Sequence, residues 1–192
     1  MSVSLDIQGK IAVVTGGAGV LCAAMCRTLA EAGAKVAVLD LRLEPAETLA
    51  TELGNGAVGL ACNVLDKASV EAAAQKVLAA FPAEERGKSG RVDILINGAG
   101  GNKPQATTNP GQSFFDLPAD ALRWVFDLNL MGAILPSQVF GKIMAAQKSG
   151  VIINISSMNS FRPLTRIPAY SAAKAGVDRK STRLNSSHRI RT

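Results

Sequence analysis

The chain is poor in the residues that build metal sites and disulfide frameworks. It holds three cysteines, Cys22, Cys26 and Cys62, and a single histidine, His188, in 192 residues. Three cysteines do not make a disulfide scaffold. Cys22 and Cys26 are spaced to share a helix face and Cys62 ends an apolar run, so all three read as small buried side chains. No histidine lies near them in sequence, and no metal site is expected. No apolar stretch is long enough to cross a bilayer. Met1 to Gln8 has no apolar core of the kind a signal peptide needs, so the cytoplasm is the expected compartment. There is no internal repeat, and the length fits one domain.

What is present is a regular alternation of apolar strands and helical stretches. Strands are predicted over 11–15, 35–39, 57–62, 92–96 and 150–156. Helices are predicted over 20–32, 45–53, 67–81 and 119–147, with another opening near Ala169. Residues 82–91 read as a charged loop. Short, continuously apolar, β-branched strands between helices imply a parallel sheet covered on both faces. The expected fold is α/β, a doubly wound Rossmann-like parallel sheet in three α/β/α layers, with strand order 3-2-1-4-5.

The first strand runs straight into Gly16-Gly17-Ala18-Gly19, and a helix follows at once. Gly33 is a stop signal for that helix. The second strand, Lys35 to Leu39, ends at Asp40, which stands 24 positions after Gly16. Strand, glycine turn, helix, strand and acid make a nucleotide-binding βαβ unit. The glycines let the backbone approach a pyrophosphate, and the helix N-terminus offers free N–H groups and a positive dipole end. Asp40 would accept hydrogen bonds from both ribose hydroxyls and repel a 2′-phosphate. NAD is therefore expected over NADP, although Arg42 could reach a 2′-phosphate.

A second constellation lies far along the chain. Tyr170 and Lys174 are spaced i,i+4, so a helix presents both on one face. A free tyrosine titrates near pH ~10; a cation held beside it favours the phenolate. Such a tyrosine exchanges a proton with a ketone or an alcohol. Ser157 could hydrogen-bond the same oxygen as charge develops on it. The Tyr-x-x-x-Lys spacing also arises by chance in many helices, and the upstream pattern decides between the readings.

Together these residues resemble the short-chain dehydrogenase/reductase family, from about Gly9 to Val177. The family pattern Thr-Gly-x-x-x-Gly-x-Gly appears as Thr15-Gly16-Gly17-Ala18-Gly19-Val20-Leu21-Cys22. Val20 and Cys22 stand where the later glycines would be. Asn63-Val64 is similar to the Asp-Val that lies beside the adenine. Asn97-Gly98-Ala99-Gly100 is similar to Asn-Asn-Ala-Gly, with Gly98 in place of the second Asn. Asn129 matches the asparagine that holds a water next to the catalytic lysine. The resemblance implies catalytic Asn129, Ser157, Tyr170 and Lys174. It implies a coenzyme held by Gly16, Gly17, Gly19, Val20, Leu21, Asp40, Asn63, Val64, Asn97, Gly98, Ala99 and Gly100, with Tyr170 and Lys174 at the nicotinamide ribose. Such enzymes transfer a hydride between a nicotinamide and a keto or hydroxy group.

Two stretches after strand ends, 100–104 and 157–166, offer amides, hydroxyls and three cations. Asn102, Lys103, Asn159, Arg162 and Arg166 are the expected substrate contacts, since a polyhydroxylated acid needs cations for its carboxylate and amides for its hydroxyls. The same charges would also serve as solvated loop residues. With the glycine turn, these stretches resemble bacterial D-mannonate oxidoreductases and fructuronate reductases of the short-chain type. Another sugar, a polyol or a hydroxy acid stays open as substrate, and so does a dinucleotide-binding fragment without catalysis.

After Val177 the pattern breaks. Residues 178–188, Asp-Arg-Lys-Ser-Thr-Arg-Leu-Asn-Ser-Ser-His, have no apolar helical face. They match, codon for codon, one reading frame of a common sequencing-library adapter. The expectation is an incomplete domain over 1–177 and a non-native tail over 178–192. Members of the family continue with the rest of the catalytic helix, two further strands and a substrate lid, so the chain by itself is expected to be inactive. Without the tail, sixteen Lys/Arg face fourteen Asp/Glu, a net +2 in place of +6. That balance gives no reason to expect a nucleic acid or an acidic membrane. The expected partners are a small-molecule substrate and, for the parent enzyme, copies of itself as a dimer or tetramer.

Overall fold

A computed structural model describes residues 7–82 and 90–187. The charged loop expected over 82–91 falls mostly outside these residues, as do Met1 to Asp6 and the end of the tail. Among the described residues five strands appear: β1 (Ile11–Thr15), β2 (Lys35–Asp40), β3 (Val58–Ala61), β4 (Ile94–Asn97) and β5 (Val151–Asn154). Their order in the sheet is β3-β2-β1-β4-β5, as the sequence predicts. β1 pairs parallel to β2 and to β4, so Val13 sits between Ala37 and Leu95. Every residue of β1 is buried. That is why the strand carries no polar alternation: a parallel strand with helices over both faces has no wet side. The helices are α1 (Val20–Glu31), α2 (Leu43–Leu53), α3 (Lys67–Ala80), α4 (Ala119–Phe126), α5 (Gly132–Ala146) and α6 (Pro168–Ser187). Among the described residues no helix is long and apolar enough to cross a membrane.

Chain contacts divide the protein into two compact units. The first comprises Met1–Ala99 and Leu135–Ile153; the second comprises Gly100–Ile134 and Asn154–Thr192. In the first, Val13, Val14, Val36, Val38, Leu39, Leu95 and Phe140 form a core of fully buried side chains. Burying each contributes roughly 1.5–3 kcal/mol relative to leaving it in water. In the second, α6 packs on α4 and on a short 3-10 turn at Met158–Ser160. Ala106, Ala121, Val125 and Ala169 form its small apolar centre, with Leu122 and Tyr170 against them.

Several details differ from expectation, among them a fourth strand over 94–97 instead of 92–96. The helix predicted over 119–147 is interrupted by a π-helical stretch at Asp127–Met131. The fifth strand stops at Asn154 instead of 156. The last helix continues through Ser187, beyond the break in apolar pattern at Val177. Once a helix is nucleated each added residue costs little, and Arg, Lys and Leu are good helix formers.

Cys22, Cys26 and Cys62 are buried and make no disulfide. Burial is the main cause that pushes the Cys26 thiol up to about 12, with Cys22 beside it adding to the shift. Burial likewise raises Cys62 to about 11, against a lowering hydrogen bond with Ser69. Both values lie above the ordinary 9.0. The unfolded chain therefore releases these protons first as pH rises, and the thiols' contribution to stability is present below 9.0 and lost as pH climbs towards 11 to 12. Two results are expected: native protein resists alkylation by iodoacetamide near neutral pH while urea-denatured protein is labelled, and the urea midpoint falls across that alkaline window. Rapid labelling of folded protein at neutral pH would contradict this placement.

Candidate active site

The first unit builds a cradle at the carboxyl ends of β1, β2 and β4. Gly16 turns the chain out of β1 with φ +61°, and a Cβ there would lie 2.8 Å from the Ala99 Cα. Only glycine satisfies both the left-handed conformation and the approach. The turn is held by the Gly17 N–H on the Leu39 carbonyl, at 3.0 Å, and the Ala18 N–H on Asp40 Oδ2, at 3.2 Å. Asp40 is half-buried at the end of β2, and its other oxygen accepts from the Arg42 N–H at 3.4 Å. Gly19 precedes α1 and gives it no side-chain cap, and a helix N-terminus suits an anion. Val20 and Leu21 are 91% and 70% exposed. Side chains at these positions thus stand in water and do not fill the turn.

On the opposite wall of the cradle stand Asn97, Gly98 and Ala99. Thr15, matched in the sequence pattern but given no role there, holds them: its hydroxyl accepts from the Gly98 and Ala99 N–H groups at 3.2 and 3.3 Å. The Asn97 side chain is buried and donates to Ser137 Oγ at 2.9 Å. Asn63 is exposed, and its Oδ1 accepts from the Leu65 N–H at 3.0 Å; Val64 beside it is buried.

The second unit holds all four expected catalytic residues. Tyr170 and Lys174 lie one turn apart on α6, with the Lys174 ammonium 5.8 Å from the centroid of the Tyr170 ring. Lys174 is only 5% exposed, and its Nζ donates to the Ile155 carbonyl at 2.7 Å. Asn129 is 1% exposed, in the middle of the π-helical stretch. Its amide donates to the Val125 and Gly101 carbonyls at 2.8 and 2.6 Å, and its Oδ1 accepts from the Gly101 N–H at 3.1 Å. Gly100 joins the set. A Cβ there would lie 2.8 Å from Asn129 Oδ1 and 3.2 Å from Lys174 Nζ. The structure therefore brings Gly100, Asn129, Lys174 and Tyr170 together. π-bulges recur at functional sites because they re-aim the groups around them.

Ser157 is half-buried at the start of the Met158–Ser160 turn, and its hydroxyl accepts from the Asn159 N–H at 3.2 Å. Its neighbour Ser156 was missed by sequence reasoning. The Ser156 hydroxyl lies 2.8 Å from that of Ser160 and donates to the Lys174 carbonyl at 3.5 Å, tying the serine turn to α6.

The expected substrate residues are more scattered. Lys103 is half-buried with its ammonium 4.7 Å above the Trp124 ring, a cation–π contact that fixes a charge otherwise free to wander. Asn102 is exposed and donates to Thr107 Oγ1 at 2.8 Å. Arg162 and Arg166 are exposed. The Arg166 carbonyl accepts from the Thr108 N–H at 2.8 Å, pinning the loops through backbone and not through the guanidinium.

The family model for short chain dehydrogenase matches residues 10–191. An uncharacterized oxidoreductase of Bacillus subtilis (strain 168), UxuB, is 45% identical over 184 residues, covering 90% of this chain and 63% of the relative. A D-threitol dehydrogenase of Mycolicibacterium smegmatis is 39% identical over 182 residues, covering 92% and 64%. Among solved structures, a candidate D-mannonate oxidoreductase from Haemophilus influenza with bound NAD is 40% identical with a TM-score of 0.83, covering 93% of this chain and 66% of that one. The chain thus spans between 63% and 66% of the length of these proteins.

Proposed function

This chain belongs to the short-chain dehydrogenase family, and on that premise we propose that the whole protein is an NAD-dependent oxidoreductase interconverting a ketone and an alcohol. The observation that carries the proposal is the buried Lys174 ammonium beside the Tyr170 ring, in a cluster closed by Asn129 and Gly100. Tyr170 is the proton donor to the carbonyl oxygen in reduction and the acceptor in oxidation. Lys174 keeps a positive charge beside it. Ser157 hydrogen-bonds the oxygen on which charge develops. Asn129 fixes the loop at Gly101 and supports the water chain that returns protons to Lys174.

The first unit fits the coenzyme. Gly16 leaves no side chain in the turn, the α1 N-terminus offers N–H groups to a pyrophosphate, and the half-buried Asp40 suits a ribose diol. When bound, NADH supplies the hydride to the carbonyl carbon while the oxygen takes its proton from Tyr170. Asp40 sets the preference for NAD over NADP. Asp40→Ser in the whole protein should shift the ratio of kcat/KM for the two coenzymes towards NADP by roughly tenfold or more, a change of about 1.4 kcal/mol in relative transition-state binding. An unchanged ratio would remove Asp40 from this role.

The substrate proposed is a sugar acid of the D-mannonate and fructuronate type. The relationship to the candidate D-mannonate oxidoreductase supports it, and so does the ordered cation of Lys103. A polyol is the second reading, favoured by the D-threitol dehydrogenase relative. Turnover of NADH with a panel of keto sugar acids, ketoses and hydroxy ketones separates the two. NADH binding without turnover of any of them would instead indicate a dinucleotide-binding protein. The whole protein is proposed to work in the cytoplasm as a homo-oligomer.

Residues 178–192 are proposed to be foreign to a domain over 1–177, because residues 178–188 read as translated adapter. Replacing them with the matching and following region of the Bacillus subtilis relative should raise both soluble yield and NADH-dependent turnover. Equal solubility and turnover with and without the replacement would show that the tail belongs.

A further inference from the structure

Two unusual residues of the coenzyme cradle occupy one another's space. Cys22 stands on the first turn of α1, where the pattern this chain resembles has glycine. Gly98 follows β4, where that pattern has asparagine. In the structure the two departures meet. A Cβ built on Gly98 would fall 2.1 Å from the Cys22 sulfur and 2.9 Å from the Thr15 carbonyl oxygen. Carbon and sulfur cannot approach so closely, and Cys22 is 5% exposed, so its sulfur has no solvent-facing place to retreat to without repacking. The sulfur thus fills the volume that a side chain at position 98 would take.

The contact bears on more than packing. The Gly98 and Ala99 N–H groups are anchored on the Thr15 hydroxyl, and Gly16 sits against Ala99. The position of the 98–99 backbone is therefore set from one side by Thr15 and from the other by Cys22, next to the glycine turn. We infer that Cys22 is a positioning residue for the coenzyme: it wedges the loop after β4 at the spacing from the glycine turn that the dinucleotide requires, and Gly98 is the reciprocal half of that wedge. This rests on the NAD reading of the cradle. The thiol takes no part in chemistry and acts through its volume. The pair accounts for why both departures occur in one chain, since either alone leaves a clash or a void.

The test uses the whole protein with four variants: Gly98→Asn, Cys22→Gly, the double Cys22→Gly/Gly98→Asn, and Cys22→Ser, which keeps part of the volume. NADH dissociation constants are measured by fluorescence titration, and thermal midpoints are measured without coenzyme. Gly98→Asn should weaken NADH by roughly tenfold or more, and Cys22→Gly by several-fold. The double variant should bind several-fold more tightly than Gly98→Asn, short of full recovery because the Thr15 carbonyl still lies 2.9 Å from the added Cβ, a non-additivity expected only for residues in contact. Cys22→Ser should bind more tightly than Cys22→Gly and less tightly than the unaltered protein, because serine keeps only part of the volume. If Gly98→Asn fails to fold and the double folds and binds, reciprocity holds. A double as weak or as unfolded as Gly98→Asn overturns it. Lowered midpoints with unchanged dissociation constants also overturn it, leaving a packing contact with no part in coenzyme binding. An unaltered chain that melts cooperatively yet does not bind NADH counts against the NAD reading itself, whereas normal binding in Gly98→Asn counts against the wedge alone.

Discussion

Tyr170→Phe in the whole protein lowers kcat for ketone reduction by roughly a hundredfold or more, the range set by loss of a general acid. The ring stays, and so does its packing against Ala106, Ala121, Val125 and Ala169. Only the hydroxyl is lost, so the thermal midpoint and the NADH dissociation constant should stay close to their starting values. Tyr170 is the single tyrosine of these 192 residues. A variant that keeps near-normal turnover would show that another group gives the proton.

Lys174→Met should have a comparable effect on turnover by a different route. Methionine keeps the length of the side chain and removes the ammonium. The Tyr170 ring then loses its cation, and the half-buried Ile155 carbonyl loses its donor at 2.7 Å. A fully buried acceptor left without a partner costs on the order of 1–3 kcal/mol; this one is half-buried, so the thermal midpoint should drop by less than that implies. Coenzyme affinity should weaken, because the ammonium is proposed to bind the nicotinamide ribose. The two variants are therefore told apart by two readings that Tyr170→Phe leaves alone: NADH affinity and stability. A Lys174→Met protein with unchanged NADH affinity would confine the lysine to the tyrosine.

The sheet was legible because its strands are short apolar runs without polar alternation, and a parallel order follows from helices between them. The glycine turn and Asp40 were legible for the same reason: a strand end, a conformation forbidden to other residues and a carboxylate recur at fixed spacing. The π-helical stretch was hidden. Apolar spacing from 119 to 147 stays helical throughout, and the widened turn is accompanied by three hydrogen bonds of Asn129 to Val125 and Gly101 that no local pattern announces. The end of β5 was overrun for a related reason. Ile155 is apolar and reads as strand, yet β5 ends at Asn154 and the Ile155 carbonyl accepts from the Lys174 ammonium. The roles of Thr15 and Ser156 escaped notice because a hydroxyl beside a glycine turn or a catalytic serine looks like filler until its partners are known. Cys22 and Gly98 were visible only as separate departures, since 76 positions of sequence separate two atoms that share one volume.

The central claim is hydride transfer to a carbonyl with the proton supplied by Tyr170. The most direct measurement gives the whole protein NADH carrying deuterium at C4 together with a keto sugar acid, and examines the alcohol formed by mass spectrometry and NMR. The account predicts one deuterium on the carbinol carbon, formed with intact Tyr170 and at a rate lower by at least roughly a hundredfold with Tyr170→Phe. Alcohol formed without the label, or labelled alcohol formed equally fast by both proteins, would contradict it.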